Sequence, residues 1–262
     1  MALLCAISFA ALAWLYKSEY QSTELIEIQS ADFYKVYAIP NSKASQIEVH
    51  LVVQSGEADL TGVEGQAHYV EHLAWLSAIG TGVRLADRHT NAWTTSDATG
   101  YWMTGSSANL ESLLATILKT LSAPKLDREF AEAERGIILR EYDFRVRGSK
   151  YAQIEDALDI ALYENTPYTR SVGGVPSDIE NYSVDNALTT HAQTHIPSNS
   201  VLVISGALTG AEIETALSKI SRGVSGKIKK TGDTPKPISA AYITDNSSER
   251  VDVEVTGNPP TK

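Results

Sequence analysis

The feature that most restricts the fold of this chain is the five-residue segment His68-Tyr69-Val70-Glu71-His72. On an α-helix, residues that are four apart project from the same face, so both imidazoles can reach one metal ion. Glu71 lies beside them, and a carboxylate there can accept a proton from a water molecule that the metal has made acidic. The segment therefore predicts a metal-binding helix, which we place over residues 63–76.

This H-x-x-E-H spacing is the signature of the inverted zincins. The motif alone is suggestive, because two polar side chains on an exposed helix face would give the same letters. A catalytic zinc site also needs a third protein ligand, while its fourth position stays open for water. The rest of the sequence must supply that ligand.

A second predicted helix, over residues 127–145, offers candidates for the third ligand. Glu134 and Glu141 are seven residues apart, which is two helical turns, so they lie on one face. Glu129 and Glu132 are also on this helix, as expected for an ordinary solvated acidic face. Spacing alone does not choose among the four glutamates.

The other segments mix strand and helix patterns without a strict β-α-β order. This mixture predicts an α+β fold, in which a largely antiparallel sheet has helices packed on one face. The first two strands flank the turn signal Pro40-Asn41, and we expect them to pair as a hairpin. Strands are predicted over residues 33–39, 46–53, 98–104, 201–205 and 250–255, and further helices over residues 110–121, 151–163, 183–195 and 210–220.

The composition argues against one class of function. The formal net charge is −10 and the pI is near 5.1, whereas nucleic-acid binding usually needs a basic face. Cys5 is the one cysteine, so no intrachain disulfide can form.

The amino-terminal segment has the pattern of an export signal. Residues 2–16 carry no charge and are short for a transmembrane helix, but long enough for the apolar region of a signal peptide. We predict that residues 1–20 are a signal peptide or a signal anchor in the membrane. The alternative is a buried first helix or strand. An export signal would make the protein periplasmic or otherwise exported, or membrane-anchored.

Three segments, in order, resemble conserved parts of the pitrilysin/insulinase family of zinc metallopeptidases, which includes the mitochondrial processing peptidases. The resemblance spans about residues 33–255. The matching segments are His68 to His72 with Gly65 and Leu73, then Asn91-Ala92-Trp93-Thr94 with Thr99 and Tyr101, and then Glu134 to Glu141.

The resemblance implies a role for each matching residue. It implies zinc as the cofactor and an extended peptide as the substrate, which would add as a strand to the edge of the sheet. His68, His72 and Glu141 would be the zinc ligands, Glu71 the general base, Glu134 a supporting acid that orients a ligand, and Asn91, Ala92 and Trp93 the substrate-binding strand.

The resemblance also implies a second, homologous lobe or a partner subunit, because full members of the family have two lobes around a chamber. We assign residues 30–222 to the catalytic zinc-binding lobe and residues 223–262 to a linker and a final strand. The leading hypothesis is a zinc endopeptidase lobe. The alternatives are a non-catalytic or partner-dependent peptide-binding subunit and a structural zinc protein.

Two further histidines share a helix face but lack a glutamate between them. His191 and His195 precede Ile196-Pro197, where a helix is expected to end. We predict that they are structural.

Overall fold

The computed structural model describes residues 25–80, 89–220, 241–245 and 251–255. Its strands are β1 (Ile26–Ile28), β2 (Lys35–Pro40), β3 (Ile47–Val53), β4 (Thr90–Thr94), β5 (Thr99–Gly105), β6 (Ser200–Gly206), β7 (Ala241–Asp245) and β8 (Val251–Val255). Its helices are α1 (Gln66–Ile79), α2 (Leu110–Ile117), α3 (Arg128–Tyr142), α4 (Lys150–Leu162), α5 (Pro176–Ile179), α6 (Val184–Thr194) and α7 (Gly210–Ile220).

Six strands form one sheet in the order β1-β2-β6-β3-β5-β4. Four of its five pairings are antiparallel, and the pairing of β2 with β6 is parallel. The prediction of an α+β fold with a largely antiparallel sheet is therefore confirmed. Strands β7 and β8 form a separate antiparallel pair.

The predicted hairpin between β2 and β3 is wrong. Strand β6 lies between them, so that Leu202 is opposite Val36 on one side and Leu51 on the other. The turn signal after β2 requires only that the chain reverses direction. It does not require the two strands to become neighbours. Strand β6, whose buried residues lie on the same face of the sheet, is between them.

The main core lies on one face of the sheet. Alternate residues of β2, β3 and β6 are buried, whereas their neighbours are partly exposed, as expected for a sheet that is covered on one side. Helices α2 and α7 and one side of α1 cover this face. The largest fully buried side chains in this cluster are Ile47, Leu51, Leu202, Ile204, Leu114, Ile117 and Tyr101.

A second core packs against the other side of α1. It contains Tyr69, Val70 and Leu73 of α1 together with apolar side chains of α3, α5 and α6. Because α1 lies between two cores, 12 of its 14 residues are buried. The polar residues of its motif are therefore inside the protein, although burial is the unusual state for such residues.

The predicted helices are present with small shifts in their ends. Asp127 caps α3 through its side chain, which accepts from the backbone N–H groups of Glu129 and Phe130. Helix α3 ends at Tyr142 and continues as a π-helical turn, Asp143–Arg147. The short elements β1, α5 and β7 were not predicted.

Some predicted segments lie outside the described residues. These are the predicted signal segment, residues 1–20, and most of residues 223–262, of which only β7 and β8 are described. Among the helices in the described part of the chain, none is both long and apolar enough to cross a membrane.

Candidate metal centre

A glycine sets the start of the helix that carries the motif. Gly65 caps α1 with φ of 78°, in the left-handed region. A Cβ at this position would lie 2.1 Å from the Tyr182 hydroxyl and 2.6 Å from Gly174 Cα. Only glycine fits this approach, and the helix therefore begins where His68 becomes its third residue.

The two motif histidines meet one glutamate of α3. The rings of His68 and His72 are 4.7 Å apart between centroids and nearly perpendicular, at 83°. Their Nε2 atoms lie 3.6 and 3.9 Å from the same carboxylate oxygen, Glu141 Oε2. The candidate ligand atoms all lie within 4.8 Å of one another.

These separations are close to what one zinc ion requires. Tetrahedral ligands at about 2.1 Å from zinc are about 3.4 Å from each other. Small side-chain movements would bring the three groups to that spacing. Two imidazoles and one carboxylate are also a ligand set typical of zinc sites with an open position.

Glu134 lies behind His72 rather than beside the other ligands. Its Oε2 is 3.1 Å from His72 Nδ1, and both side chains are buried. An ionised carboxylate can only accept hydrogen bonds, so Nδ1 carries the hydrogen and donates it. The lone pair of His72 Nε2 is then free on the side that faces Glu141. This is the carboxylate–histidine arrangement that orients metal ligands.

The environments of the two imidazoles differ. Burial, together with the smaller effects of the neighbouring His72 and Arg145, lowers the pKa of His68 to about 3. Burial also lowers the pKa of His72, but Glu134, Glu71 and Glu141 outweigh it, so the net shift is upward. His68 Nδ1 is buried without a hydrogen-bond partner among the described residues.

Glu71 lies next to the three candidate metal ligands without belonging to their group. Thr94 Oγ1 donates a hydrogen bond to Glu71 Oε2 at 3.1 Å. Burial raises the pKa of Glu71, although His72 and this hydrogen bond oppose the shift. A buried carboxylate with a raised pKa is better matched to exchanging protons near neutral pH than a solvated one.

Strand β4, which contains Asn91, Ala92 and Trp93, is at the edge of the sheet. It pairs only with β5 among the described residues, so its other backbone edge is open. Asn91 and Trp93 are exposed, and the Trp93 ring packs over Gly100 of β5. The last residue of the strand is Thr94, so the open edge ends beside Glu71.

Two residues close to the site were not assigned a role from the sequence. Thr94 appeared there only as part of a motif, and no pattern placed its hydroxyl against Glu71. Arg145, one turn after Glu141, has its guanidinium 3.9 Å from the Glu141 carboxylate and is largely exposed. Arg145 is far from the motif helix in the sequence, so no spacing pattern linked it to the site.

The His191 and His195 pair is buried elsewhere in the fold. His191 Nε2 lies 2.7 Å from the backbone oxygen of Thr120, and His195 Nε2 lies 2.7 Å from the Tyr101 hydroxyl. The group of His68, His72 and Glu141 is the only set of potential metal ligands among the described residues. The prediction that the other two histidines are structural agrees with these contacts.

Comparison with known families and proteins identifies the chain. The model of a family described as insulinase, peptidase family M16, matches residues 35–175, which include α1 and Glu141. The chain belongs to this family. The match covers all three segments on which the resemblance in the sequence depends.

Two curated relatives give the extent of the similarity. The chain is 26% identical over 181 residues to the zinc protease PqqE of Helicobacter pylori, an alignment covering 66% of this chain and 41% of that protein. It is 25% identical over 191 residues to a probable mitochondrial-processing peptidase subunit beta of Arabidopsis thaliana, covering 69% of this chain and 35% of that protein. The matched region is therefore less than half the length of either relative.

A solved structure supports the fold. The periplasmic protease PqqL from Escherichia coli superimposes with a TM-score of 0.71 at 19% identity, over 83% of this chain and 26% of that chain. At this identity the likeness supports the shared fold and nothing finer. The described residues therefore form a lobe of the M16 peptidase type.

Proposed function

We propose that this chain is the catalytic lobe of a zinc-dependent endopeptidase that hydrolyses peptides in extended conformation. The observation that carries the proposal is the convergence of His68, His72 and Glu141 within 4.8 Å, with Glu71 buried beside them. Family membership supports peptide hydrolysis, and the open edge of β4 beside Glu71 supports an extended substrate.

Each residue has a distinct task in this proposal. His68, His72 and Glu141 would hold the metal. Glu134 would fix His72 in the tautomer whose unprotonated Nε2 faces the metal. The metal would act as a Lewis acid that makes water acidic and polarises the scissile carbonyl group. Glu71 would take the proton from the attacking water and pass it to the leaving amine.

The edge strand would position the peptide. On the side where no strand pairs with it among residues 25–80 and 89–220, its backbone N–H and C=O groups can pair with an extended peptide, as in other cases of strand addition. Such pairing reads the backbone rather than the side chains. Because Thr94 contacts Glu71, a peptide on this edge would run past the proton acceptor.

The proposal includes a second lobe or subunit and an exported location. The matched region covers 41% of the Helicobacter zinc protease and 35% of the Arabidopsis subunit. A homologous second lobe, in the same or another chain, would close the site. Export follows from the apolar segment at residues 2–16, and it agrees with a structural neighbour described as periplasmic.

Metal content and hydrolysis test the function together. Zinc would be measured by elemental analysis in the parent, in Glu141→Gln and in Glu71→Gln, and hydrolysis would be followed with dye-labelled casein. We expect about one zinc per parent chain, as for a single catalytic site. Glu141→Gln should lose zinc and hydrolysis. Glu71→Gln should keep zinc and lose hydrolysis.

The other outcomes separate the remaining hypotheses. A folded parent that takes up no zinc when zinc is supplied contradicts the metallopeptidase. Zinc without hydrolysis, both alone and with a second lobe, would favour the partner-dependent peptide-binding subunit. Hydrolysis that survives in Glu71→Gln would remove this residue from its role as the base.

A further inference from the structure

The loop between α4 and α5, residues 163–175, contacts both the turn that follows strand β4 and the segment that precedes helix α1. Tyr168 lies in a single 3-10 turn, Pro167–Thr169, within this loop. Its hydroxyl donates a hydrogen bond to Asp97 Oδ1 at 2.6 Å. Asp97 belongs to the tight turn, residues 95–98, that joins the edge strand β4 to β5. The loop therefore holds the end of the strand that we propose to bind peptide.

Two residues further along, Arg170 holds the segment that leads into α1. Its guanidinium donates to Glu57 Oε1 at 2.6 Å, and to the backbone oxygens of Gly62 at 3.2 Å and Val63 at 2.9 Å. Gly62 and Val63 lie three and two residues before Gly65, the glycine cap of the helix. Planar donors in a fixed fork make this a geometrically specific contact.

Glu57 connects these contacts to each other. Its side chain is fully buried, and its Oε2 accepts from the Ala67 N–H at 3.0 Å, in the first turn of α1. Its own backbone N–H donates to the Thr95 oxygen at 3.0 Å, in the turn after β4. A Cβ at the preceding residue, Gly56, would lie 2.4 Å from that same oxygen, so the two segments meet at backbone contact.

We propose that Tyr168 and Arg170 are positioning residues that together fix the edge strand β4 relative to the metal helix α1. Tyr168 acts through Asp97 on the strand, and Arg170 acts through Glu57 on the helix. The inference rests on the proposed function, because it takes β4 as the peptide-binding edge and α1 as the metal helix.

The chemistry requires such a fixed spacing. In the proposed mechanism the peptide is bound to β4, whereas the metal ligands His68 and His72 and the base Glu71 are on α1. The peptide therefore reaches them only if the distance between β4 and α1 is constant. An error of about 1 Å in the placement of reacting groups can cost about a hundredfold in rate. The Thr94–Glu71 hydrogen bond joins the two elements directly at the end of β4. The loop adds contacts to the turn after β4 and to the segment before α1, which lie outside that bond.

Tyr163 provides a matched control for Tyr168. It lies on the same loop, and its ring contacts that of Tyr168 with 5.6 Å between centroids. Tyr→Phe at either position removes one hydroxyl and keeps the ring packing. Only at Tyr168 does the change remove the bond to Asp97.

The test measures two affinities in the zinc-loaded chain, in a Glu71→Gln background that prevents cleavage. Zinc affinity is measured by competition with a chelator, and binding of dye-labelled casein by fluorescence anisotropy. Tyr168→Phe should weaken casein binding about three- to tenfold, which is the range for the loss of one ordinary hydrogen bond, because the bond to Asp97 is exposed. Zinc affinity should change less than about twofold, since the bond that is lost is to Asp97 in the turn after β4, and not to the segment that begins α1. Tyr163→Phe should change neither.

The arginine variants test the helix side. Arg170→Met alone would leave Glu57 buried without its partner, so the double variant Glu57→Gln/Arg170→Met is used to keep the fold. It should weaken zinc binding about tenfold, because the helix start loses its restraint. Arg170→Lys, which keeps the charge but not the fork, should restore part of this loss.

Several results would overturn the inference. It fails if Tyr168→Phe binds casein like the parent, if Tyr163→Phe is equally impaired, or if the double variant binds zinc like the parent. If the parent itself binds no casein or no zinc, the proposed function has failed. Amide hydrogen exchange then tests separately whether Tyr168 and Arg170 hold the two segments in place. Faster exchange at residues 95–98 in Tyr168→Phe, and at Ala67 in Arg170→Lys, would support it. Exchange equal to that of Tyr163→Phe would refute it.

Discussion

The substitution Glu134→Gln tests whether the buried carboxylate behind His72 supports metal binding. Glutamine keeps the size of the side chain and an oxygen that can accept from His72 Nδ1. It removes the negative charge that makes the imidazole more basic. We therefore expect a weaker metal site in a chain that still folds.

The structure indicates the size of the effect. The Glu134–His72 contact is 3.1 Å, and the two residues are 7% and 9% exposed, so water has little access to replace the lost charge. Changing the partner of a metal-binding histidine typically costs about 10- to 100-fold in metal affinity. In free energy this is about 1.4 to 2.8 kcal/mol. We expect the upper half of that range, because the contact is buried.

The assay is zinc competition against a chelator, with circular dichroism to confirm folding. Glu141→Gln should lose more than about a hundredfold, because it removes a ligand rather than its support. Glu129→Gln, on an exposed part of the same helix, is the control for lost charge and should bind zinc like the parent. A Glu134→Gln variant that matches the control would refute the reasoning.

Two further predictions concern stability. Burial lowers the pKa of His195 well below its usual range and also lowers that of His191, so the unfolded chain takes up protons first as the pH falls. The melting temperature should therefore be highest above about pH 6.5 and fall below it, with a smaller fall in His191→Gln; a fall that is the same in His191→Gln as in the parent would contradict this. Gly65→Ala should destabilise the fold by more than Gly62→Ala, because both have positive φ but only at Gly65 does a Cβ meet other atoms, at 2.1 Å from the Tyr182 hydroxyl. Equal melting temperatures for the two variants would show that the contact is relieved at no cost.

The helix that carries the H-x-x-E-H motif could be predicted from the sequence because its evidence is local. Four-residue spacing places His68 and His72 on one helix face whatever the rest of the chain does, and Glu71 must then lie beside them. The same holds for the strand patterns of residues 46–53 and 201–205, which together with the helix patterns indicated an α+β fold. Family resemblance added Glu141, which spacing had left among four glutamates.

Contacts between distant segments were decided only by the tertiary structure. Local turn chemistry did not reveal that β6 separates β2 from β3, since pairing partners depend on which strands share a buried face. The support of His72 by Glu134 and the bond from Thr94 to Glu71 join residues 62 and 23 positions apart. Side chains that meet across such distances leave no periodic signal in the sequence.

For the H-x-x-E-H motif, the sequence determined the chemistry and the tertiary structure determined the burial. The sequence determined which residues can bind a metal, because ligand chemistry belongs to the residue type. Only the packing of α1 between two cores decided that these residues are buried, and that Glu71 has a raised pKa while His68 has a lowered one. Burial depends on what packs against every side of the helix, and that is a property of the whole fold.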